Sequence, residues 1–131
     1  PPEVAHNTPS TSHPAPTLHP RRVMHDLLTG KMTVDFPRWT YVKEMPDISQ
    51  THASTGMARY EITDGDPLSA RVVTENKVEI RRPDATITHR SSGSMSCDAT
   101  HFTIDMDLVL HEDGKQVFAR SWHERIPRDM V

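Results

Sequence analysis

Nine histidines, one cysteine and a Gly-Ser pair are the groups in this 131-residue chain that could ligate a metal or attack a carbonyl. A metal site needs several ligands converging on one point. Four histidines, His89, His101, His111 and His123, fall on successive strand-like segments. His101 and His111 sit at opposite ends of one of these, about 33 Å apart at roughly 3.3 Å per residue, which rules out a shared coordination sphere. No CxxC, HxH or HExxH spacing occurs, and His6, His13 and His19 lie in a Pro-rich stretch without a strand pattern. A hydrolase serine sits in Gly-x-Ser-x-Gly on a strained strand-to-helix turn. Gly93-Ser94 instead lies inside an alternating pattern, where glycine admits a bulge or a close neighbour. Cys97 reads as a small buried thiol, since a reactive thiolate needs an electropositive, part-exposed site. Asp105 and Asp107 share one face of one segment and read as surface charge rather than as an acid–base pair, because nothing separates their pKa values. No catalytic residue, metal ligand or cofactor-binding residue is assigned, and no cofactor is expected.

The elements that must carry these residues are strands. From His101 to His111, Phe102, Ile104, Met106, Leu108 and Leu110 alternate with Thr103, Asp105 and Asp107, as in a half-buried strand. Asp113-Gly114 supplies a tight turn, and Val117 to Glu124 returns. Regular pairing about that turn predicts Leu110 opposite Val117, Leu108 opposite Ala119, Met106 opposite Ser121, and Asp107 beside Arg120. In that register His123 points to the apolar face, while Phe118 and Trp122 stand among charges. Two large aromatics on a charged face mark a surface covered by something else, either another domain or Trp39 and Tyr41 of the first strands, so Trp122, Phe118, Arg120 and Asp107 form the candidate interface.

Upstream, Ser69 to Arg81 and Thr86 to Ser96 form a second hairpin about Arg82-Pro83-Asp84-Ala85, with Ile80 facing Ile87, Val78 facing His89 and Val72 facing Met95. MHDLLTGK has a helical or turn-like pattern, with Gly30 as a cap. MTVDF and WTYVK read as two short strands around Pro37-Arg38, EMPDISQTHASTG as a loop, and Met57 to Thr63 as a strand closed by Asp64-Gly65-Asp66-Pro67. The fold class expected is mainly β, an antiparallel meander curled into a sandwich or partial barrel, with little helix. Composition changes once: residues 1–20 carry Pro, Ser, Thr and His with few large apolar groups and read as a linker or arm, whereas residues 21–131 form the β-rich module.

A net charge of −3 with mixed signs gives no basic field, which excludes nucleic acid as a partner. No stretch approaches the roughly 20 apolar residues of a membrane helix, and no membrane partner is expected. The start lacks signal-peptide features and a Met, and reads as a piece of something longer. A single cysteine excludes an internal disulfide and leaves the compartment open, with a reducing cytoplasm favoured.

Three segments carry a resemblance. DGDPLSAR (Asp64 to Arg71), SMSCDATHF (Ser94 to Phe102) and SWHERIPRD (Ser121 to Asp129), in that order and spacing, resemble the extreme C-terminal region of CocE/NonD-type hydrolases, the X-prolyl dipeptidyl-peptidase-like branch of the α/β-hydrolases. The similarity runs from about Met24 to the end. It implies a parent serine hydrolase whose Ser-Asp-His triad lies in an α/β-hydrolase domain, followed by β-rich structure that packs on that domain and shapes the active-site entrance. None of the family's catalytic motifs falls in this chain. The expectation is a non-catalytic C-terminal module whose partner is the catalytic domain of the same polypeptide, with self-association of the chain as a further contact. The reading from a different class is a free-standing barrel-like module that holds a small apolar ligand.

Overall fold

The structure, a computed structural model, describes residues 11–12 and 19–129. Among these residues eight strands follow one another: β1 (Thr11–Ser12), β2 (Arg22–Asp26), β3 (Lys31–Met45), β4 (Gln50–Thr63), β5 (Asp66–Arg81), β6 (Thr86–Cys97), β7 (His101–Glu112) and β8 (Lys115–Pro127). The only helix among the described residues is a 3-10 turn at Pro46–Ile48. All pairings are antiparallel, and β3 to β8 are adjacent in sequence order. The chain is therefore mainly β, as its alternating patterns predict.

Turn chemistry sets the meander. Asp26 Oδ1 accepts from the Leu28 amide at 2.9 Å and its Oδ2 from the Thr29 hydroxyl at 2.7 Å, which rounds off β2 ahead of Gly30 at φ 69°. MHDLLTGK is thus strand and turn, not helix. Asp113 and Gly114 take φ 48° and 80°, the pair of positive dihedrals that a two-residue hairpin requires. Pro37-Arg38 does not separate two strands but bulges one: the register slips between Phe36 and Trp39, and β3 runs on. The expected loop EMPDISQTHASTG becomes the 3-10 turn and the first half of β4. Its Thr, His and Ser side chains hide the strand, which is held by ladders to β3 and β5 on both sides.

Of the Pro-rich arm, Thr11 and Ser12 pair with Glu44 and Lys43, so this part lies along the edge of the chain's own sheet. The remainder of residues 1–18 lies outside the described residues. β2 pairs with the other end of β3.

The β5–β6 register agrees with the sequence reading at Ile80–Ile87, Val78–His89 and Val72–Met95. The last hairpin does not. A bulge between Leu110 and His111 leaves Val117 unpaired, so that Leu110 faces Phe118, Leu108 faces Arg120 and Met106 faces Trp122. Asp107 faces Ser121 rather than Arg120. One inserted residue exchanges the two faces of a strand. Phe118, Arg120 and Trp122 therefore stand on the apolar face, and His123 on the polar one.

Alternation divides the sheet into two unlike faces. The polar face carries paired charges: Arg59 with Asp35 at 2.7 Å, Lys31 with Glu61 at 2.9 Å, Arg38 with Glu75 at 3.1 Å and Arg81 with Glu79 at 2.6 Å. The other face collects Met32, Val34, Phe36, Tyr60, Ile62, Val72, Met95, Ile104, Leu108 and Leu110 from five adjacent strands. Phe36 and Tyr60 meet edge to face there, at 5.6 Å between ring centroids. Among the described residues no second layer covers it. The sheet does not close into a barrel, since among the described residues β8 pairs with β7 alone. Among the described residues no apolar side chain is buried, and Met106 and Phe118 are 47% and 42% exposed.

Candidate functional site

The three segments that carry the family resemblance are distant in sequence and meet at one end of the sheet, where β5 and β7 begin and β6 and β8 end. Asp98 organises the β6–β7 turn. Its Oδ1 accepts from the Thr100 amide at 2.7 Å, the Thr100 hydroxyl at 2.9 Å and the His101 amide at 2.7 Å, while Oδ2 accepts from Arg125 Nη2 at 2.8 Å. The backbone hydrogen bond to Thr100 does most to hold the Asp98 carboxyl far below the ordinary carboxylate range, aided by the Thr100 hydroxyl and the His101 amide. Arg128 completes the junction: its amide donates to the Thr100 carbonyl at 2.9 Å, Nη1 donates to the Asp98 carbonyl at 3.0 Å, and the guanidinium lies 5.1 Å from the Phe102 ring centroid. The first segment joins from the other side. The Cys97 thiol is directed at the Leu68 carbonyl, 3.8 Å away, and Ser69 Oγ accepts from the Thr63 amide at 2.7 Å while donating to the Asp66 carbonyl at 2.6 Å.

Next to this junction the apolar face is concave. A cleft of about 330 Å³ is lined by Met32, Val34, Tyr60, Ile62, Val72, Met95, Cys97 and Phe102, with Glu61 and Arg71 among its walls. Its walls come from strands β3 to β7, so only the sheet's twist and register bring them together. Such a surface takes up apolar groups. Among the described residues neither a histidine nor a second carboxylate lines it.

Of the four residues expected to form an interface, three come together. Phe118, Arg120 and Trp122 share the apolar face, with the Arg120 guanidinium 4.9 Å from the Trp122 ring centroid. Asp107 is on the opposite face, where it accepts from the Ser121 hydroxyl at 2.5 Å. His123 Nδ1 lies 2.6 Å from Asp105 Oδ1, an exposed pair on the polar face. His89 remains on the apolar face, opposite Val78 and Leu110. Among the described residues no group of three His, Cys, Asp or Glu side chains could hold a metal ion. Ser94 lies within β6, facing Val73 and Asp105, and no helix follows it among the described residues.

Composition could not disclose Asp98, Arg125 and Arg128 as one unit. The signal available was their occurrence in two members of the motif set, Asp98 in one and both arginines in another. Asp26, Asp35 and Glu79 are also held below their ordinary pKa values, by the Thr29 hydroxyl, Arg59 and Arg81 respectively. A carboxyl whose folded pKa is depressed adds stability above its unfolded pKa, 3.8 for Asp98, and loses it as pH falls through the folded value. The protein is expected to lose stability on acidification below about pH 4, and Asp98→Ala to flatten that dependence, as followed by urea midpoints across pH. A wild-type slope retained in Asp98→Ala would show that the carboxylate is not what titrates. No helix of the described residues is long and apolar enough to cross a membrane. No protein-family model matches the chain, and it matches neither a curated protein nor a solved structure.

Proposed function

We propose that this chain is the non-catalytic C-terminal β module of an X-prolyl dipeptidyl-peptidase/CocE-like serine hydrolase. Its apolar face packs on the α/β-hydrolase domain of the same polypeptide, and the end of the sheet around the cleft shapes substrate access. The observation that carries this reading is the uncovered face. Stable domains bury the apolar side of a sheet against a second layer, and these strands have ion pairs on one side and no cover on the other. The resemblance supplies the cover: a catalytic domain preceding this module. The junction of the three resembling segments supports the same reading, because the residues they share are turn- and corner-forming groups, as expected of an element that positions a rim.

A second reading, a free-standing module holding a small apolar ligand, is favoured by the cleft, whose size is that of a small-molecule site. Oxidative footprinting separates the two. In the polypeptide that includes the upstream hydrolase domain, Met95, Met106 and Phe118, each at least 40% exposed in this chain, are expected to be protected from hydroxyl radicals relative to the chain alone. Equal modification in both forms would overturn the packing. A gene of about this length with no upstream Gly-x-Ser-x-x-Gly elbow would remove the parent enzyme altogether.

A further inference from the structure

Strand β8 has one neighbour, β7, among the described residues. One hydrogen bond shows which of its backbone groups are left open. The Arg128 amide donates to Thr100, so it points toward β7. By alternation Ile126, Glu124, Trp122, Arg120 and Phe118 do the same, while Arg125, His123, Ser121 and Ala119 turn their amides and carbonyls outward. This open run has two stops. Val117 is the bulged residue, and Pro127 has no amide hydrogen. The stops are equidistant from Trp122.

The side chains are symmetric about the same residue. On the apolar face Phe118, Arg120, Trp122, Glu124 and Ile126 follow in order. Neither Arg120 nor Glu124 has an ion-pair partner within the chain among the described residues. Phe118 and Ile126 are 42% and 48% exposed.

We propose that β8 pairs with β8 of a second copy of this chain, antiparallel about a two-fold axis at Trp122, so that the two sheets continue as one. Arg120 then faces Glu124 of the second copy, Phe118 faces its Ile126, and Trp122 faces its own counterpart. The outward-facing residues exchange backbone hydrogen bonds, Ser121 with His123 and Ala119 with Arg125, and Val117 meets Pro127 at the point where both chains stop pairing. Other registers lose this match. A shift of two residues sets Phe118 against Glu124 or Arg120 against Ile126, and a shift of four sets Arg120 or Glu124 against itself. Odd shifts set the apolar face of one sheet beside the polar face of the other. The pairing uses the edge and leaves the apolar face free, so it does not depend on the hydrolase reading.

Sedimentation velocity over a concentration series tests it. The wild-type protein is expected to dimerise, Arg120→Glu and Glu124→Arg each to weaken the dimer at least about tenfold, and the double reversal to restore it. A wild-type protein that stays monomeric overturns the proposal. So does a dimer indifferent to both single reversals, which would place association away from β8. If a reversed charge unfolds the protein, Ala119→Pro replaces it, since the amide it removes faces away from β7. A monomeric Ala119→Pro supports the edge pairing, and a dimer as tight as wild type excludes it.

Discussion

Gly56→Ala is expected to destabilise the protein by about 1–3 kcal/mol, although it adds one methyl group to a strand. Alanine in place of a strand glycine would ordinarily stabilise by up to roughly 1 kcal/mol, through lower entropy of the unfolded chain. Here the space is taken. A Cβ at Gly56 would stand 2.8 Å from Trp39 Cζ2, 2.9 Å from Cε2 and 3.1 Å from Nε1. Trp39 cannot yield cheaply, because the atoms in the way belong to one rigid ring that must move as a whole, while its backbone is fixed by the ladder to β4 and by the Thr55 hydroxyl donating to its carbonyl at 2.7 Å. Gly56 is one of the few buried positions among the described residues, covered by that indole. The urea midpoint reads the loss, and tryptophan emission should shift as the ring is displaced. In a Trp39→Ala background the same glycine substitution should become neutral or stabilising. If Gly56→Ala raises the midpoint while Trp39 is intact, the indole does not cover the glycine, and the bulge at Pro37-Arg38 aims the side chain elsewhere.

The Trp39–Gly56 contact also marks where the sequence stopped being legible. Within a hairpin, alternation and a turn signal specify the register, and the β5–β6 pairs follow directly from Pro83 and the Val72, Val78, Ile80 series. Contacts between strands read separately are another matter. The Gln50 to Gly56 stretch has no apolar alternation, and at Gly56 the cover is an indole from β3, so the strand is defined by its neighbours. The last hairpin failed for a narrower reason. A bulge has no compositional mark, and counting back from Asp113-Gly114 without one put each β8 side chain from Phe118 onward on the wrong face. The missed signal lay in β8 itself. Phe118, Trp122 and Ile126 share one parity, and placing them beside Leu110, Met106 and Phe102 requires a one-residue slip near the turn. The convergence of the three resembling segments followed from their places at strand ends, but the Asp98–Arg125–Arg128 junction depends on side-chain reach, which spacing along a chain does not encode.

The corrected register separates two substitutions that regular pairing would have placed on adjoining strands of a single interface. Trp122→Ala removes an indole from the apolar face, and where that face is packed against the hydrolase domain the cost should be about 3–5 kcal/mol, as for buried aromatics. In this chain alone, at concentrations where it is monomeric, the indole is only part-covered and its main loss is the stacking of Arg120 at 4.9 Å, so about 1 kcal/mol or less is expected. Asp107→Asn should cost under about 1 kcal/mol in both settings, because the residue faces the polar side and its amide oxygen can still accept from Ser121. Denaturant unfolding of each variant, with and without the upstream domain, gives the four numbers. A small Trp122 cost in both settings would mean that nothing packs on the apolar face, and the accessory-module reading would fail. An Asp107 cost rivalling that of Trp122 in the longer polypeptide would mean that the hydrolase covers the ion-paired side instead. That outcome would bury Arg59–Asp35 and Arg38–Glu75 without water and leave a broad apolar sheet exposed, an arrangement disfavoured on both counts.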